Sequence, residues 1–525
     1  MRKILMMFVV TMMATMNVFA QSEEVTPYFT TSELPDLIKC LPAPPDTIGA
    51  EFYYDVMQYM WGKEQRSDAE REAIARRDAV WSYENLFAEF NIPFGLTISR
   101  TETPEIWKLL ETSLVTTDQM RVAPKKFYNR RRPYVRFKEH ILTYDSEEDE
   151  VELGREGSYP SGHTSRGWTT ALLLSEIAPS RSDTILARGY MYGESRVIVG
   201  AHWQTDVDAS RLGATIGYMR LQTSPAFQEQ MKKAQAEYAS KTGVSISPSI
   251  SDEIDREGCD YYFTRQEMPD MLRFLPAPPD TIGNKFARDI LRYMWGKKMR
   301  LDAERAAIAY RDATYGVDCI CQEFSEPFGL TISPEKTPEI YKLLVDATAT
   351  CDSICYKPKR FYMRMRPYIR FQERTLKPED EEELSHNGSY PSGHTILGWS
   401  SALVLSEVNP TKADTLMARG HMYGESRLIV GAHWQSDVDA ARLAASAAYV
   451  RIHNSARFQE QMRKAKEEFA RLTEQSVGED AGVIDALPLQ KMQQSSARMY
   501  RLDGTPATEE TRGIVIEQGE KIVRR

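Results

Sequence analysis

Two histidines and an aspartate, set among basic residues, occur twice at fixed spacing in this 525-residue chain. In the first occurrence Lys125 is followed seven residues later by Arg132-Pro133, then by Ser161-Gly162-His163, and then by Ser195-Arg196, His202 and Asp206. The second has the same order: Lys359, Arg366-Pro367, Ser392-Gly393-His394, Ser426-Arg427, His433 and Asp437. A lysine and two arginines brought together by a fold neutralise a tetrahedral dianion, and arginine does so through two parallel hydrogen bonds. Ser161 and Ser392 occupy a helix N-cap pattern. The free backbone N–H groups that follow form an anion site, which Gly162 and Gly393 let a ligand approach closely. His202–Asp206 and His433–Asp437 are i, i+4 pairs, expected on one side of a helix. The carboxylate would hold one ring nitrogen and leave the other for a substrate. Two histidines beside such a cradle are what phosphoryl transfer without a metal requires. One attacks phosphorus and the other protonates the departing oxygen, while the cations and helix N-terminus stabilise the equatorial oxygens.

These clusters belong to a larger duplication. GSYPSGHT stands at 157–164 and, letter for letter, at 388–395. LPAPPDTIG occurs at 41–49 and 275–283, and YMWGK and PFGLTIS recur at the same offset of 234. The octet and MYGESR are offset by 231, so the second copy is three residues shorter between Pro367 and the octet. A period of this size is a copied domain rather than a solenoid repeat. The expected organisation is a signal peptide over 1–20, a first domain over 25–240 and a linker over 241–257. A second domain then spans 258–475, and a polar tail spans 476–525.

The basic start Arg2-Lys3, the apolar run ILMMFVVTMMATM and the closing Val18-Phe19-Ala20 have the layout of a secretory signal. No later stretch approaches the run of about 18 apolar residues that a membrane span needs. A periplasmic or secreted protein is therefore expected. The net charge of −9 gives no global support for nucleic-acid binding, so any anion site must be a local cluster. KKFYNRRRPYVRFK fits the cradle motif rather than a nucleic-acid patch. Within it Lys126, Arg130, Arg131 and Arg136 are taken as structural or surface residues, and Arg131 is replaced by Met365 in the second copy. Of six cysteines, Cys319, Cys321, Cys351 and Cys355 lie in the second half without first-half equivalents, and one or two disulfides are expected there rather than a metal site.

The elements that must position these residues are helical. Ser67-Asp-Ala-Glu70 has the form of a capping box, and Ala73, Val80, Tyr83, Phe87 and Phe90 keep the spacing of one helix face. Helical patterns continue from the octet (TSRGWTTALLLSEI) and through DTILARGYMYGESRVIVGAHW and DVDASRLGATIGYMRL. Period-2 alternation is scarce, so the expected fold class is all-α, with two tandem helical bundles. Trp203 and Trp434 are expected in the core, Tyr159 and Tyr390 could line the site, and His140, His386, His421 and His453 stand outside the motifs.

The pattern K-x6-RP, PSGH, SR-x5-H-x3-D resembles that of the phosphatidic acid phosphatase type 2 (PAP2) superfamily, which includes the vanadium haloperoxidases. The octet and the LPAPPD segment resemble those of bacterial class A nonspecific acid phosphatases. The resemblance covers most of both units and implies helical bundles of the acid phosphatase–haloperoxidase type. It also implies a metal-independent phosphatase acting on phosphate monoesters, with vanadate as a phosphate-mimicking inhibitor. By the same resemblance His202 and His433 are nucleophiles forming a phosphohistidine, oriented by Asp206 and Asp437, and His163 and His394 are the general acids. Lys125, Arg132, Ser161, Gly162 and Arg196, with Lys359, Arg366, Ser392, Gly393 and Arg427, are the phosphate ligands. A lipid or prenyl diphosphate phosphatase and a vanadium-dependent haloperoxidase are the alternatives within the superfamily. A noncatalytic scaffold with one decayed unit is the alternative outside it. Neither copy has lost a motif residue, so two competent sites are expected, and the duplication could place them as a pseudo-dimer within one chain.

Overall fold

The computed structural model describes residues 25–143, 147–244 and 259–480 and the short segments 499–501, 506–507, 513–517 and 520–524. The signal segment over 1–20 and most of the linker (245–257) lie outside the described residues.

Each unit is a bundle built around one buried helix. In unit one this is Gly162–Ile177, packed against Ser182–Val199, Gln204–Leu221 and Pro104–Asp118. Its counterpart in unit two is Gly393–Val408, packed against Ala413–Val430, Gln435–Ile452 and Pro338–Asp352. Both central helices are buried on nearly every face, and small residues let their partners come close. A Cβ on Gly167 would lie 2.4 Å from the Tyr192 ring, and one on Gly398 would lie 2.6 Å from Tyr423. Each large apolar side chain sealed in such a core contributes about 1.5–3 kcal/mol relative to exposure.

The units touch through reciprocal contacts. The helix Leu37–Cys40 of unit one packs on Ala413–Val430 of unit two, and Met271–Phe274 of unit two packs on Ser182–Val199 of unit one. The Asp36 N–H donates to Asp414 (2.9 Å), and the Asp270 N–H donates to Asp183 (2.8 Å). One continuous cluster of buried apolar side chains holds residues of both units, from Leu37 to Ala465.

A buried polar group at this junction breaks the internal symmetry. In unit one Gln222 donates to Glu176 (2.9 Å) and to the Tyr218 hydroxyl oxygen (2.7 Å). In unit two the matching position is His453, whose Nε2 lies 3.0 Å from Glu407 and whose Nδ1 lies 2.8 Å from the Tyr449 carbonyl. Burial alone would lower the His453 pKa, but the carboxylates of Glu407 and Glu176 outweigh it and raise the pKa above the ordinary value. Burial likewise opposes ionisation of Glu407, yet Lys466 and His453 hold its pKa at about 2. A raised folded-state pKa gives stability that is complete below the ordinary histidine value of about 6.5 and is lost as pH rises through the folded value. His453→Gln, which copies unit one, should therefore cost about 1–3 kcal/mol at pH 5.5 and progressively less above neutrality. Denaturant unfolding at a series of pH values checks this, and a cost that grows with pH would refute the assignment.

Three local expectations are corrected. The N-cap before Ala69–Ala79 is Asp68, accepting from the Glu70 and Arg71 N–H groups (3.0 and 3.1 Å), so Ser67 is not the capping residue. The residues from Ala73 to Phe90 do not form one helix. The first helix ends at Ala79, Val80 is exposed, and Ser82 caps a new helix, Tyr83–Ala88, whose Phe87 is buried. Among the described residues the six cysteines form no disulfide. Cys351 is packed in the core, while the Cys319 thiol donates to the Arg311 carbonyl and the Cys355 thiol to Asp352. Beyond the helix Ala456–Asp480, four short strands (Met499–Arg501, Pro506–Ala507, Gly513–Glu517 and Glu520–Arg524) form an antiparallel sheet, with Gly513–Glu517 between Met499–Arg501 and Glu520–Arg524. The β-branched pairs in GIVIE and KIVR favour strands over such a short length.

Candidate active site

The octet starts the central helix of each unit. Ser161 is the N-cap, its Oγ accepting from the Thr164 N–H (3.4 Å) and hydroxyl (3.0 Å). Ser392 does the same with Thr395 (3.3 and 2.9 Å). The first glycine of the octet serves a close approach: a Cβ on Gly157 would lie 2.4 Å from the Lys125 carbonyl oxygen, and one on Gly388 would lie 2.5 Å from that of Lys359. Across this contact Lys125 Nζ donates to the Gly157 carbonyl (2.7 Å) and Lys359 Nζ to that of Gly388 (3.0 Å). The Ser161 N–H donates to the Asp206 carbonyl (3.2 Å) and the Ser392 N–H to that of Asp437 (3.1 Å). The octet is thereby tied to both the lysine helix and the distant histidine turn.

The His–Asp pair does not lie within one helix, contrary to expectation. Ser182–Val199 ends at Gly200, which is left-handed (φ 88°), and Trp203 is extended before the helix Gln204–Leu221 begins. His202 therefore stands in the turn between two helices. Asp206, at the third position of the second helix, reaches back to accept the Trp203 N–H at 2.9 Å, and the same carboxylate oxygen lies 3.5 Å from His202 Nδ1. Unit two repeats the arrangement, with Asp437 2.8 Å from the Trp434 nitrogen and 3.4 Å from His433 Nδ1. The physical reason is the glycine cap, which stops the preceding helix before the histidine.

Arginine sets the tautomer. His202 Nε2 lies 3.1 Å from Arg132 Nη1, and His433 Nε2 lies 3.1 Å from Arg366 Nη1. A guanidinium only donates, so Nε2 accepts and Nδ1 carries the proton towards the aspartate. Burial, reinforced by Arg132 and Lys125, holds the His202 pKa well below the ordinary value. Burial and Arg366 do the same for His433, despite Asp437. Both shifts favour the neutral ring, with a lone pair on Nε2.

The cradle cations are held by backbone carbonyls. Arg132 donates from Nε to Leu153 and Glu156 (2.9 and 3.2 Å) and from Nη1 to Ala201 (3.0 Å). Arg366 reproduces this with Leu384, Asn387 and Ala432. Arg196 and Arg427 are buried in the last turns of Ser182–Val199 and Ala413–Val430. The Nε, Nη1 and Nη2 atoms of Arg427 have no hydrogen-bond partner among the described residues. Burial together with Arg132 and Arg121 lowers the Lys125 pKa to about 7, and burial with Arg366 lowers that of Lys359 to about 8. His163 lies 3.3 Å from the Ala79 carbonyl and His394 lies 2.9 Å from that of Ala313, in each case through Nε2. Burial, then Arg196, depresses the His163 pKa; burial, then Arg427, depresses that of His394. His163 also feels His202, and His394 feels His433. Each unit thus gathers its own two histidines, lysine and two arginines in one field.

Two residues behind each histidine went unrecognised in the sequence. Arg130, expected to be structural or at the surface, is buried and bridges two carboxylates: Nη1 to Asp206 (2.6 Å) and Nη2 to Asp55 (2.6 Å). Asp55 also accepts the N–H and hydroxyl of Thr205 (2.9 and 2.7 Å). Arg364 joins Asp437 (2.5 Å) to Asp289 (2.7 Å) in the same way. Burial alone would raise the Asp437 pKa, but Arg364 and His433 hold it well below the carboxylate range. The available signal was register: Asp55/Asp289 and Arg130/Arg364 match at the 234 offset, whereas Arg131 does not. Ser195 and Ser426, which precede the motif arginines, donate instead to Asp78 (2.5 Å) and Asp312 (2.6 Å). Tyr159 and Tyr390 do not present their hydroxyls to a ligand, because these donate to the carbonyls of Pro42 and Pro276 in the LPAPPD segments. Trp203 and Trp434 are core residues, as expected.

Among the described residues no group of three or more His, Cys, Asp or Glu side chains is placed to hold a metal ion, and no helix is long and apolar enough to cross a membrane.

Comparison with known proteins places this constellation. The PAP2 superfamily model matches twice, over residues 106–228 and 341–459. A non-specific acid phosphatase of Providencia stuartii is 43% identical over 213 residues, covering 40% of this chain and 86% of that protein. One from Salmonella typhimurium is 39% identical over 203 residues, covering 37% and 78%. An acid phosphatase of Zymomonas mobilis is 32% identical over 228 residues, covering 43% and 84%. A solved bacterial vanadium-dependent iodoperoxidase aligns over 75% of this chain and 96% of its own, at 12% identity and a TM-score of 0.28, too low to carry weight. Each of these acid phosphatases matches less than half of this chain, as a duplicated domain requires. The chain belongs to the PAP2 superfamily, is a phosphatase of the non-specific acid phosphatase kind, and carries the family's domain twice.

Proposed function

We propose that both units hydrolyse phosphate monoesters through a phosphohistidine, on His202 in unit one and on His433 in unit two. The observation that carries this reading is the setting of the histidine, the same in both units: Nε2 lies 3.1 Å from an arginine and Nδ1 3.4–3.5 Å from an aspartate. The Nε2 lone pair attacks phosphorus, and the bond from phosphorus to the ester oxygen breaks. His163 or His394, held by a carbonyl at Nε2, gives its Nδ1 proton to the leaving oxygen. Water then attacks the phosphohistidine and yields a proton to the same residue, and the N–P bond breaks. Lys125, Arg132 and Arg196, or Lys359, Arg366 and Arg427, neutralise the phosphoryl oxygens, helped by the N–H groups after Ser161 or Ser392.

Burial, and after it the neighbouring cations, depress the pKa values of His163 and His394. A phosphate monoanion or dianion offsets those charges, so the acid takes up its proton together with substrate, and turnover falls as pH rises. Only the residues of the chain enter this chemistry. Turnover should accordingly survive chelators, and orthovanadate should inhibit competitively with a phosphate ester. The segment over 1–20 directs export to the periplasm or beyond. The reciprocal contacts between the units support an intrachain pseudo-dimer.

Rapid alkaline quenching during turnover of p-nitrophenyl phosphate, followed by peptide mass spectrometry, tests the mechanism. Phosphate should be found on His202 and on His433. Phosphate on neither, or on a serine, would overturn it.

A further inference from the structure

A chain of buried polar contacts runs behind each candidate acid, and the chemistry above does not use it. The carbonyl that meets His163 belongs to Ala79, and the residue before it, Asp78, is fully buried. Asp78 accepts the Ser195 hydroxyl (2.5 Å) and both Nη atoms of Arg188, Nη1 at 3.3 Å. Arg188 reaches on to Glu89 (2.9 Å), and Arg71 donates to the Ser195 oxygen (3.0 Å). Unit two repeats every member. Asp312, before the Ala313 carbonyl that meets His394, accepts from Ser426 (2.6 Å) and from Arg419, Nη1 at 3.2 Å. Arg419 reaches Glu323 (3.0 Å), and Arg305 donates to the Ser426 oxygen (3.0 Å).

The carbonyl of Ala79 can only accept, so His163 carries a hydrogen on Nε2 and works through Nδ1. Where that carbonyl stands therefore decides where Nδ1 points. Ala79 is the last residue of Ala69–Ala79, and Ala313 directly follows Ala303–Asp312. Helix ends fray unless something holds them. Asp78 holds this one against Ser182–Val199 at Arg188 and Ser195, two turns apart on that helix. Ser195 in turn precedes Arg196, a candidate ligand of the phosphoryl group, as Ser426 precedes Arg427. One carboxylate thus joins the helix end that fixes the acid to the turn that would hold phosphate. A second tie differs between the copies: Asn85 Nδ2 donates to the Arg77 carbonyl (2.7 Å), where the Cys319 thiol donates to that of Arg311 (3.2 Å). The ring beside the acid differs too, Trp81 against Tyr315. The aspartate, serine and arginines are the part that both copies keep.

Resting on the reading of His163 and His394 as the acids, we propose that Asp78 and Asp312 are positioning residues for proton delivery to the leaving oxygen. They touch no substrate and act through the carbonyl that follows them and through Ser195 or Ser426. An amide in place of Asp78 accepts at one oxygen only and turns N–H groups towards partners that themselves donate. The carbonyl then loses its fixed place, and Nδ1 its aim at the ester oxygen. General-acid transfer is worth about a hundredfold to ten-thousandfold for a leaving group that departs poorly as an anion, and far less for one that departs readily. The loss should therefore follow the leaving group.

Phenyl phosphate and 2,4-dinitrophenyl phosphate test this, since phenolate needs the proton and dinitrophenolate leaves without it. In the full chain His433→Ala leaves unit one working. There Asp78→Asn should lower kcat/KM for phenyl phosphate by about thirtyfold and for the dinitrophenyl ester by less than about threefold. His163→Ala should lower the ratio of phenyl to dinitrophenyl kcat/KM at least as much, and adding Asp78→Asn to it should lower the ratio no further. Ser195→Ala keeps the Asp78–Arg188 pair and should lower the ratio by about fivefold. It decides the matter by the same criterion if Asp78→Asn does not fold. Asp312→Asn in a His202→Ala background should repeat the pattern in unit two. Equal losses on both esters, an unchanged ratio, or a further fall of the ratio when Asp78→Asn is added to His163→Ala would overturn the positioning role. A ratio that His163→Ala leaves unchanged would instead remove the acid assignment, and this role with it.

Discussion

Replacing both nucleophilic histidines should reduce turnover of p-nitrophenyl phosphate by at least about a thousandfold, whereas either single replacement should leave the other unit working. The asymmetry of outcome is the informative part. His202 and His433 each have their own arginine at 3.1 Å and their own aspartate at 3.4–3.5 Å, and neither borrows a cradle residue from the other unit. His202→Ala should therefore abolish labelling of unit one and leave that of His433 intact. With a small uncharged leaving group the two single variants should each retain roughly half the rate, since the cradle chemistry is the same. If one single variant already loses all turnover, one unit is inactive. If the double variant keeps most of its rate, the nucleophile lies elsewhere.

The second large effect concerns the buried bridge behind the nucleophile. Arg130→Ala should destabilise the protein by about 3–5 kcal/mol and sharply reduce unit-one turnover, and Arg364→Ala should do the same for unit two. Removing Arg130 leaves Asp55 and Asp206 buried without their common cation, and a carboxylate left without its counter-ion far from water takes up a proton or pulls in solvent. Either change would disturb the contact that keeps Nδ1–H of His202 directed at Asp206. Arg130→Lys should rescue little, because an ammonium cannot span two carboxylates as a planar fork does. Adding Asp55→Asn to Arg130→Ala should restore part of the stability by removing one stranded charge. Chemical denaturation and single-site kinetics in a His433→Ala background measure the two effects. A cost below about 1 kcal/mol with unchanged turnover would mean that Arg130 is only packing.

The bridge also shows where inference from the sequence stopped. The motif lysines, arginines and histidines were legible because their types and order suit a tetrahedral anion, and because the copy repeats them. The run NRRRP, by contrast, presents three arginines with nothing local to rank them. Arg131 faces away while Arg130 and Arg132 turn inwards, and that depends on the left-handed residue at Asn129 (φ 39°) and on what Asp55 offers from 75 residues upstream. The interrupted helix after Ala79 escaped notice for a related reason. Spacing alone carries an apolar series straight through Val80, but Ser82 supplies an N-cap that restarts the backbone in a new direction.

By itself, the sequence determined the duplication, the helical class of both units and the list of groups able to hold and cleave a phosphate ester, because these follow from residue type, period and register. Tertiary structure alone decided three further things. It placed His202 and His433 in turns rather than on helix faces, since a left-handed glycine ends the helix before them. It recruited Asp55, Arg130, Asp289 and Arg364, because a buried carboxylate must find its counter-ion wherever the chain brings one. It also set Arg121 and Asp352 against equivalent glycines, a difference invisible to the motif, because a charge acts through space on whatever the fold places beside it.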